Sequence, residues 1–258
     1  MSLLELQRGI IYGPIDSRRL GDSLGLNIMP TNYKLCPFNC VYCHYGWTDK
    51  QALDIIDQLR DLPTAKQVGE ALRASLEEMA RRDAKPDYIT FSGNGEPTVH
   101  PYFSEVVEIV RAVRDQLVPA IRVALLSNST TLQNPAVRAA IKRIDLPIMK
   151  LDAGTEELFQ KVNRPVSSIT LEKIVSGLKQ LDDFVTQTVF MSGTVDNATD
   201  QAVESWIKTV GEVRPREAQI YTVDRWPADP GLEKVDKERL HEIAELAQEK
   251  TGVTVVVY

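Results

Sequence analysis

Short apolar, β-branched runs alternate along this chain with longer amphipathic stretches, and that alternation restricts the fold more than any other feature. Runs of strand character stand at 24–30, 87–93, 121–128, 147–153, 184–193 and 217–224. Helical periodicity fills 64–83, 101–117, 135–143, 170–182, 200–213 and 236–250. A strand joined to the next by a helix-length crossover builds a parallel sheet, because parallel neighbours cannot be linked by a tight turn. Six such units predict an α/β fold, a mostly parallel sheet with helices outside. The terminal VTVVVY is a candidate seventh strand, closing or covering a sheet edge.

Local punctuation agrees with these limits. Thr64 with Gln67 three residues on is a capping-box pattern, Thr170 is followed by Glu172 in a first turn, and Pro101 and Pro135 stand where a missing N–H costs nothing. No Ser/Gly-rich or Pro-rich linker interrupts the 258 residues, so one domain is expected: an N-terminal extension over about 1–23, a core over 24–224, and a closing helix and strand over 236–258. The opening MSLLELQRGIIYGP carries Glu5 and Arg8 inside its apolar part, unlike a signal peptide, and no run of about 18 apolar residues occurs. A cytoplasmic protein without a membrane segment is expected. The net charge of -6 leaves no global basic footprint for a nucleic-acid backbone.

In an open α/β sheet, chemistry gathers where the strands end. After the first strand comes CPFNCVYC, which holds Cys36, Cys40 and Cys43, the only cysteines of the chain. In a reducing compartment three clustered thiols argue for metal binding or catalysis rather than disulfides. Thiolate selects zinc, Cu(I) or iron–sulfur clusters. Structural zinc wants a fourth ligand, and the nearest histidine, His44, directly follows Cys43. A [4Fe-4S] cluster held by three thiolates would keep one iron open for a small molecule.

With its spacing of three and then two residues between cysteines, this loop resembles that of the radical S-adenosylmethionine (SAM) superfamily. The segments GPIDSRRLGDSLGLNIMP, FSGNGEPT, SNST, KLDA, VNRP and IYTVDRWPADPG extend the likeness over most of the chain, toward the branch of wyosine-type tRNA-modifying synthases. The resemblance implies a partial (βα)6 barrel, with Cys36, Cys40 and Cys43 holding a [4Fe-4S] cluster. It implies SAM as the second cofactor, cleaved by the reduced cluster to a 5′-deoxyadenosyl radical that abstracts hydrogen from a substrate. An electron donor such as flavodoxin or ferredoxin follows from the same likeness. Wyosine-type synthases carry further cysteines for a second cluster; this chain has none. An activase of glycyl-radical enzymes, acting on a protein, is therefore a second expectation. A structural zinc module or an RNA-binding protein is a third, and the substrate stays open among small molecule, RNA and protein.

For SAM the resemblance points to several residues. Gly93, Asn94, Gly95 and Glu96 take the place of a glycine-rich motif that holds the methionine amino group. A carboxylate at Glu96 suits an ammonium group and would repel a phosphate. The alternative is a turn that caps the following helix. Tyr42 stands where the family packs an aromatic near adenine, or else anchors its loop. Asn128 and Asp152 are candidates for the ribose or carboxylate. Lys150 and Asp152, two apart on a strand, share a face and could instead form an internal ion pair. Met191 lines the adenine side or fills the core. Arg18, Arg19 and Arg225 either meet an anionic substrate or pair with Asp16, Asp22 or Asp224.

Overall fold

A computed structural model describes residues 2–53 and 60–258. In chain order the elements are β1 (Ile11–Ser17), β2 (Gly21–Leu26), β3 (Leu35–Cys36), β4 (Lys50–Gln51), α1 (Ala65–Arg81), β5 (Tyr88–Phe91), α2 (Phe103–Leu117), β6 (Arg122–Ser127), α3 (Pro135–Ile141), β7 (Leu146–Lys150), α4 (Glu156–Asn163), α5 (Leu171–Leu178), β8 (Val185–Phe190), β9 (Ser192–Gly193), α6 (Asp200–Val213), β10 (Glu217–Thr222), β11 (Leu232–Glu233), α7 (Lys237–Thr251) and β12 (Thr254–Val257). A 3-10 turn, Pro97–Val99, follows β5. The main sheet runs β1-β2-β5-β6-β7-β8-β10-β12. It is parallel from β2 to β12, and only β1 runs antiparallel. Among the described residues its edges, β1 and β12, are not hydrogen-bonded to each other, and the fold is a mostly parallel α/β sheet with helices.

All six strand runs of the sequence become parallel strands, and VTVVVY adds a seventh beside β10 rather than closing the sheet. Thr64 and Gln67 form the reciprocal capping box of α1, and Thr170 caps α5 through the Lys173 amide. Strand β1 lies inside the stretch expected to be an extension. A register shift between Tyr12 and Ile15 takes up Gly13 and Pro14 at the sheet edge, where a missing N–H is tolerated. The second addition is α4, whose eight residues are too short for a strong periodic signal.

Alternation along the strands sorts the core into two sides. Val123, Leu125 and Met149 pack in the large cluster shared with the helices, whereas Ala124, Ile148 and Val185 pack with Leu20 on the concave side. Two residues beyond Ile148 the same face carries Lys150, level with Gln187 on β8 and Gln219 on β10. An apolar floor under a polar upper layer thus lines the concave face. The β1–β2 turn, residues 18–20, folds across the gap between the sheet edges. Leu20 joins the floor, Arg18 pairs with Asp224, and the Arg19 guanidinium lies 4.4 Å from the Tyr221 ring centroid and 5.9 Å from that of Tyr258. No helix among the described residues is long and apolar enough to cross a membrane.

Candidate functional site

The cysteine loop follows β2 and is held by three walls at the C-terminal ends of the strands. The first is the loop after β5. Leu35 bridges Gly95 as in a parallel ladder, with Leu35 N donating to Asn94 O at 3.0 Å and Glu96 N to Leu35 O at 3.3 Å. Gly95 has φ of +152°, and a Cβ there would lie 1.7 Å from the Leu35 carbonyl oxygen. Only glycine lets the two backbones meet. The second wall is the segment Val162–Pro165 at the end of α4. Asn39 N and Val41 N donate to the carbonyls of Asn163 and Val162 at 2.9 and 3.0 Å, and Phe38 bridges Pro165. The third is the N-terminal segment, where Leu4 N donates to His44 O at 2.8 Å.

These walls bring polar hydrogens to the sulfurs. Asn128 Nδ2 lies 3.4 Å from Cys36 Sγ, and Asn163 Nδ2 lies 3.5 Å from Cys40 Sγ. Lys34, only 3% exposed, donates to Gly46 O at 2.8 Å. Burial would lower the Lys34 pKa, but the neighbouring thiols of Cys43, Cys36 and Cys40 outweigh it and raise it. Burial pushes the Cys40 thiol up to about 11, with Asp152 adding to the rise and the Asn163 amide opposing it. Cys36 is raised by burial too, against the pull of Lys34. A thiol this buried ionises only when a cation or metal compensates, and amide and ammonium donors aimed at sulfur suit a thiolate held on a metal centre. Among the described residues no three Cys, His, Asp or Glu side chains close on a single ion. Three thiols with amide and ammonium neighbours suit a soft, sulfur-ligated metal group.

Beside the sulfurs sits the SGNGE loop. Glu96 is buried. Its Oε1 accepts from Thr98 N, Thr98 Oγ1 and Ser127 Oγ at 3.0, 2.6 and 2.9 Å, and its Oε2 from Asn128 N at 2.6 Å. It also caps the 3-10 turn, so the capping role is present. Burial nonetheless raises the Glu96 pKa against these donors, and Oε2 keeps acceptor capacity for one more. Asn94 faces the other way: its Nδ2 donates to Gln7 O and Pro30 O, both at 2.8 Å, tying the loop to the N-terminal segment.

Asp152 collects four neighbours. Oδ2 accepts from Tyr42 Oη at 2.5 Å and Asn163 Nδ2 at 2.9 Å, and Oδ1 accepts from Val189 N at 3.0 Å and lies 2.9 Å from Lys150 Nζ. Burial would lower the Lys150 pKa, but the Asp152 carboxylate outweighs it and raises it. The ion pair expected as one alternative is thus formed, and Tyr42 anchors the cysteine loop to it. Met191 is fully buried among Val41, Val162, Val189 and Val223. Arg18 pairs with Asp224, and Arg225 is exposed. The structure gathers Cys36, Cys40, Cys43, Gly95, Glu96 and Asn128 in one place, with Tyr42 and Asp152 behind the loop.

Residues 33–210 match the family profile described as the Radical SAM superfamily. The chain belongs to the radical SAM superfamily. It is an enzyme of that class, whose members use SAM and an iron–sulfur cluster. Over 248 residues it is 28% identical to a UPF0026 protein of Methanocaldococcus jannaschii, covering 94% of this chain and 72% of that one. In fold it is similar to a radical SAM methyltransferase from Sphaerobacter thermophilus, with a TM-score of 0.65 at 13% identity over 92% of this chain and 66% of that one. It is likewise similar to TYW1 with a lysine–pyruvate adduct bound, with a TM-score of 0.62 at 15% identity over 89% of this chain and 74% of that one.

Three residues that the structure brings to this site are not marked by the sequence patterns above. Lys34, two before the first cysteine, carried a signal in its parity with Cys36 on an extended segment. Asn163 stood in the quoted VNRP stretch, whose role depends on a contact 123 positions away in sequence. Asn197 donates to the carbonyls of Asp152 and Val189 at 3.0 and 2.7 Å and bolts the site from behind, with no local pattern to mark it.

Proposed function

We propose that this radical SAM enzyme works with one [4Fe-4S] cluster held by Cys36, Cys40 and Cys43, with one iron left to S-adenosylmethionine. The observation that carries the reading is the shell around the sulfurs, in which the Asn128 and Asn163 amides meet Cys36 and Cys40 and the buried Lys34 ammonium feels all three thiols. When bound, the cluster and SAM supply a one-electron cleavage to a 5′-deoxyadenosyl radical that takes hydrogen from the substrate.

The chain's own residues bind and orient. Glu96, fixed by Thr98, Ser127 and Asn128 yet strained toward protonation by burial, is suited to an ammonium group on the free side of Oε2, which would offset that desolvation. The backbone of Gly93 to Gly95 passes beside the cysteine loop and is suited to the same methionine end. Asn128 couples the two halves: its amide faces Cys36 while its backbone N–H holds Glu96. Asp152 and Tyr42 set the height of the cysteine loop, and Val41 and Met191 help seal it from water. With no cysteine outside the triad, the chain supplies no thiolates for a second cluster. A flavodoxin or ferredoxin is the proposed electron donor, and the substrate is a small molecule, RNA or protein.

Anaerobic reconstitution with iron and sulfide, followed by reduction in the presence of SAM, tests this. The expected result is brown protein that forms deoxyadenosine, and loss of both bound iron and product on replacing any of Cys36, Cys40 or Cys43 by Ala. A colourless protein carrying stoichiometric zinc after the same treatment would refute it.

A further inference from the structure

Five buried side-chain nitrogens and oxygens lack a hydrogen-bond partner among the described residues, and three of them are Arg19 Nη1, Lys150 Nζ and His44 Nδ1. Arg19 and Lys150 come from the β1–β2 turn and the end of β7, yet they converge. The Tyr221 ring is the common neighbour of the first two, 4.4 Å from the Arg19 guanidinium carbon and 5.3 Å from Lys150 Nζ. Lys150 also lies 5.0 Å from the Tyr42 ring, beside the cysteine loop.

Stacking on tyrosine satisfies the face of a guanidinium and not the N–H groups in its plane. Lys150 is only partly served, since Asp152 Oδ1 at 2.9 Å can take one of the three hydrogens of its ammonium. Asp152 is itself committed to Tyr42, Asn163 and Val189. Glu217, the next acid on this side, accepts from Gln219 at 3.0 Å. Buried donors without acceptors are uncommon, and several facing one space call for an acceptor from outside. Arg18, by contrast, is exposed and already paired with Asp224, so the two arginines of the turn divide their work: one ties the turn down, the other points a cation inward.

We propose that Arg19 and Lys150 form an anion subsite at the open seam of the sheet, which takes a carboxylate or phosphate of the substrate. The inference rests on the radical SAM reading only in calling that ligand a substrate. The apolar floor of Leu20, Ala124, Ile148 and Val185 limits how deep the ligand goes, and Gln187, Gln219 and Tyr221 offer neutral polar contacts beside the charge.

SAM also carries a carboxylate, and the experiment separates the two sources. Inorganic phosphate is titrated calorimetrically into the reconstituted enzyme, with and without saturating SAM, for the wild type, Arg19→Gln and Arg19→Lys. Saturable binding to the SAM-loaded wild type, at least tenfold weaker in Arg19→Gln and largely kept in Arg19→Lys, is the expected result. Equal affinity in the wild type and Arg19→Gln would overturn the subsite. Loss of phosphate binding once SAM is present would show that the cations serve SAM itself, and would overturn the substrate assignment. Should Arg19→Gln not fold, the wild type and Arg19→Lys decide: an absence of saturable phosphate binding to either overturns the proposal. Because phosphate binding needs no SAM cleavage, its failure and a failure to form deoxyadenosine are separate results.

Discussion

Replacing Gly95 by Ala tests whether the cysteine loop is held in place by backbone contact with the SGNGE loop. The new Cβ would stand 1.7 Å from the Leu35 carbonyl oxygen and 2.6 Å from its carbon, both rigid backbone atoms. The overlap is relieved only by parting Leu35 from Gly95, which breaks the bonds from Leu35 N to Asn94 O and from Glu96 N to Leu35 O. Two lost backbone hydrogen bonds cost about 2 kcal/mol. A non-glycine residue forced to positive φ adds roughly 1–2 kcal/mol. The expected loss is therefore about 3–4 kcal/mol in urea unfolding. Because the contact lies next to Cys36, iron per chain after reconstitution should fall as well. Gly252→Ala is the control: φ there is +70° but nothing stands within 4 Å of the added Cβ, so only the conformational part, about 1–2 kcal/mol, is expected. If Gly95→Ala lost no more stability than Gly252→Ala and bound iron normally, the contact would not be what positions the loop.

Asp152→Asn should destabilise the protein by about 3 kcal/mol, because it leaves the Lys150 ammonium buried without its counter-charge; denaturant midpoints measure this, and unchanged stability with weakened SAM affinity would favour direct contact with SAM. Asn163→Ala removes the amide that faces both Cys40 and Asp152, at 3.5 and 2.9 Å. A loss of about 1–2 kcal/mol is expected, with faster iron release to a chelator, and release at the wild-type rate would remove Asn163 from the sulfur shell. His100 is held neutral: burial lowers its pKa, Nε2 meets Pro63 O at 3.0 Å, and Nδ1 accepts from Tyr102 N at 3.1 Å. Since the unfolded chain takes up its proton first, stability should decline as pH falls below the unperturbed value of 6.5, and His100→Gln should flatten that decline. Parallel pH profiles for the two proteins would refute this.

The parallel βα order was legible because hydrophobic period is a local property. The run at 121–128 is short and almost continuously apolar, as a strand buried in a parallel sheet requires, and Thr64 with Gln67 marks a helix start in adjacent residues. The six strands end earlier than their apolar runs for a physical reason. Beyond Leu26 and Ser127 side chains take over from the ladder, as where Asn128 N donates to Glu96 Oε2 at 2.6 Å. Asn27, for example, spends its side chain on Asn94 N and Met29 N, at 3.1 and 3.3 Å.

By itself the sequence determined the repeated units, the three thiols after the first strand and the glycine-rich turn after the second, since each is written in adjacent residues. Which groups face the sulfurs was decided only by tertiary structure. Asn128 and Asn163 meet Cys36 and Cys40 from 92 and 123 residues away, and Arg19 meets Tyr221 because a hairpin turn folds across an open seam. Such meetings depend on how strands register and where loops land, and no local pattern encodes a distance between segments that the chain brings together only by folding.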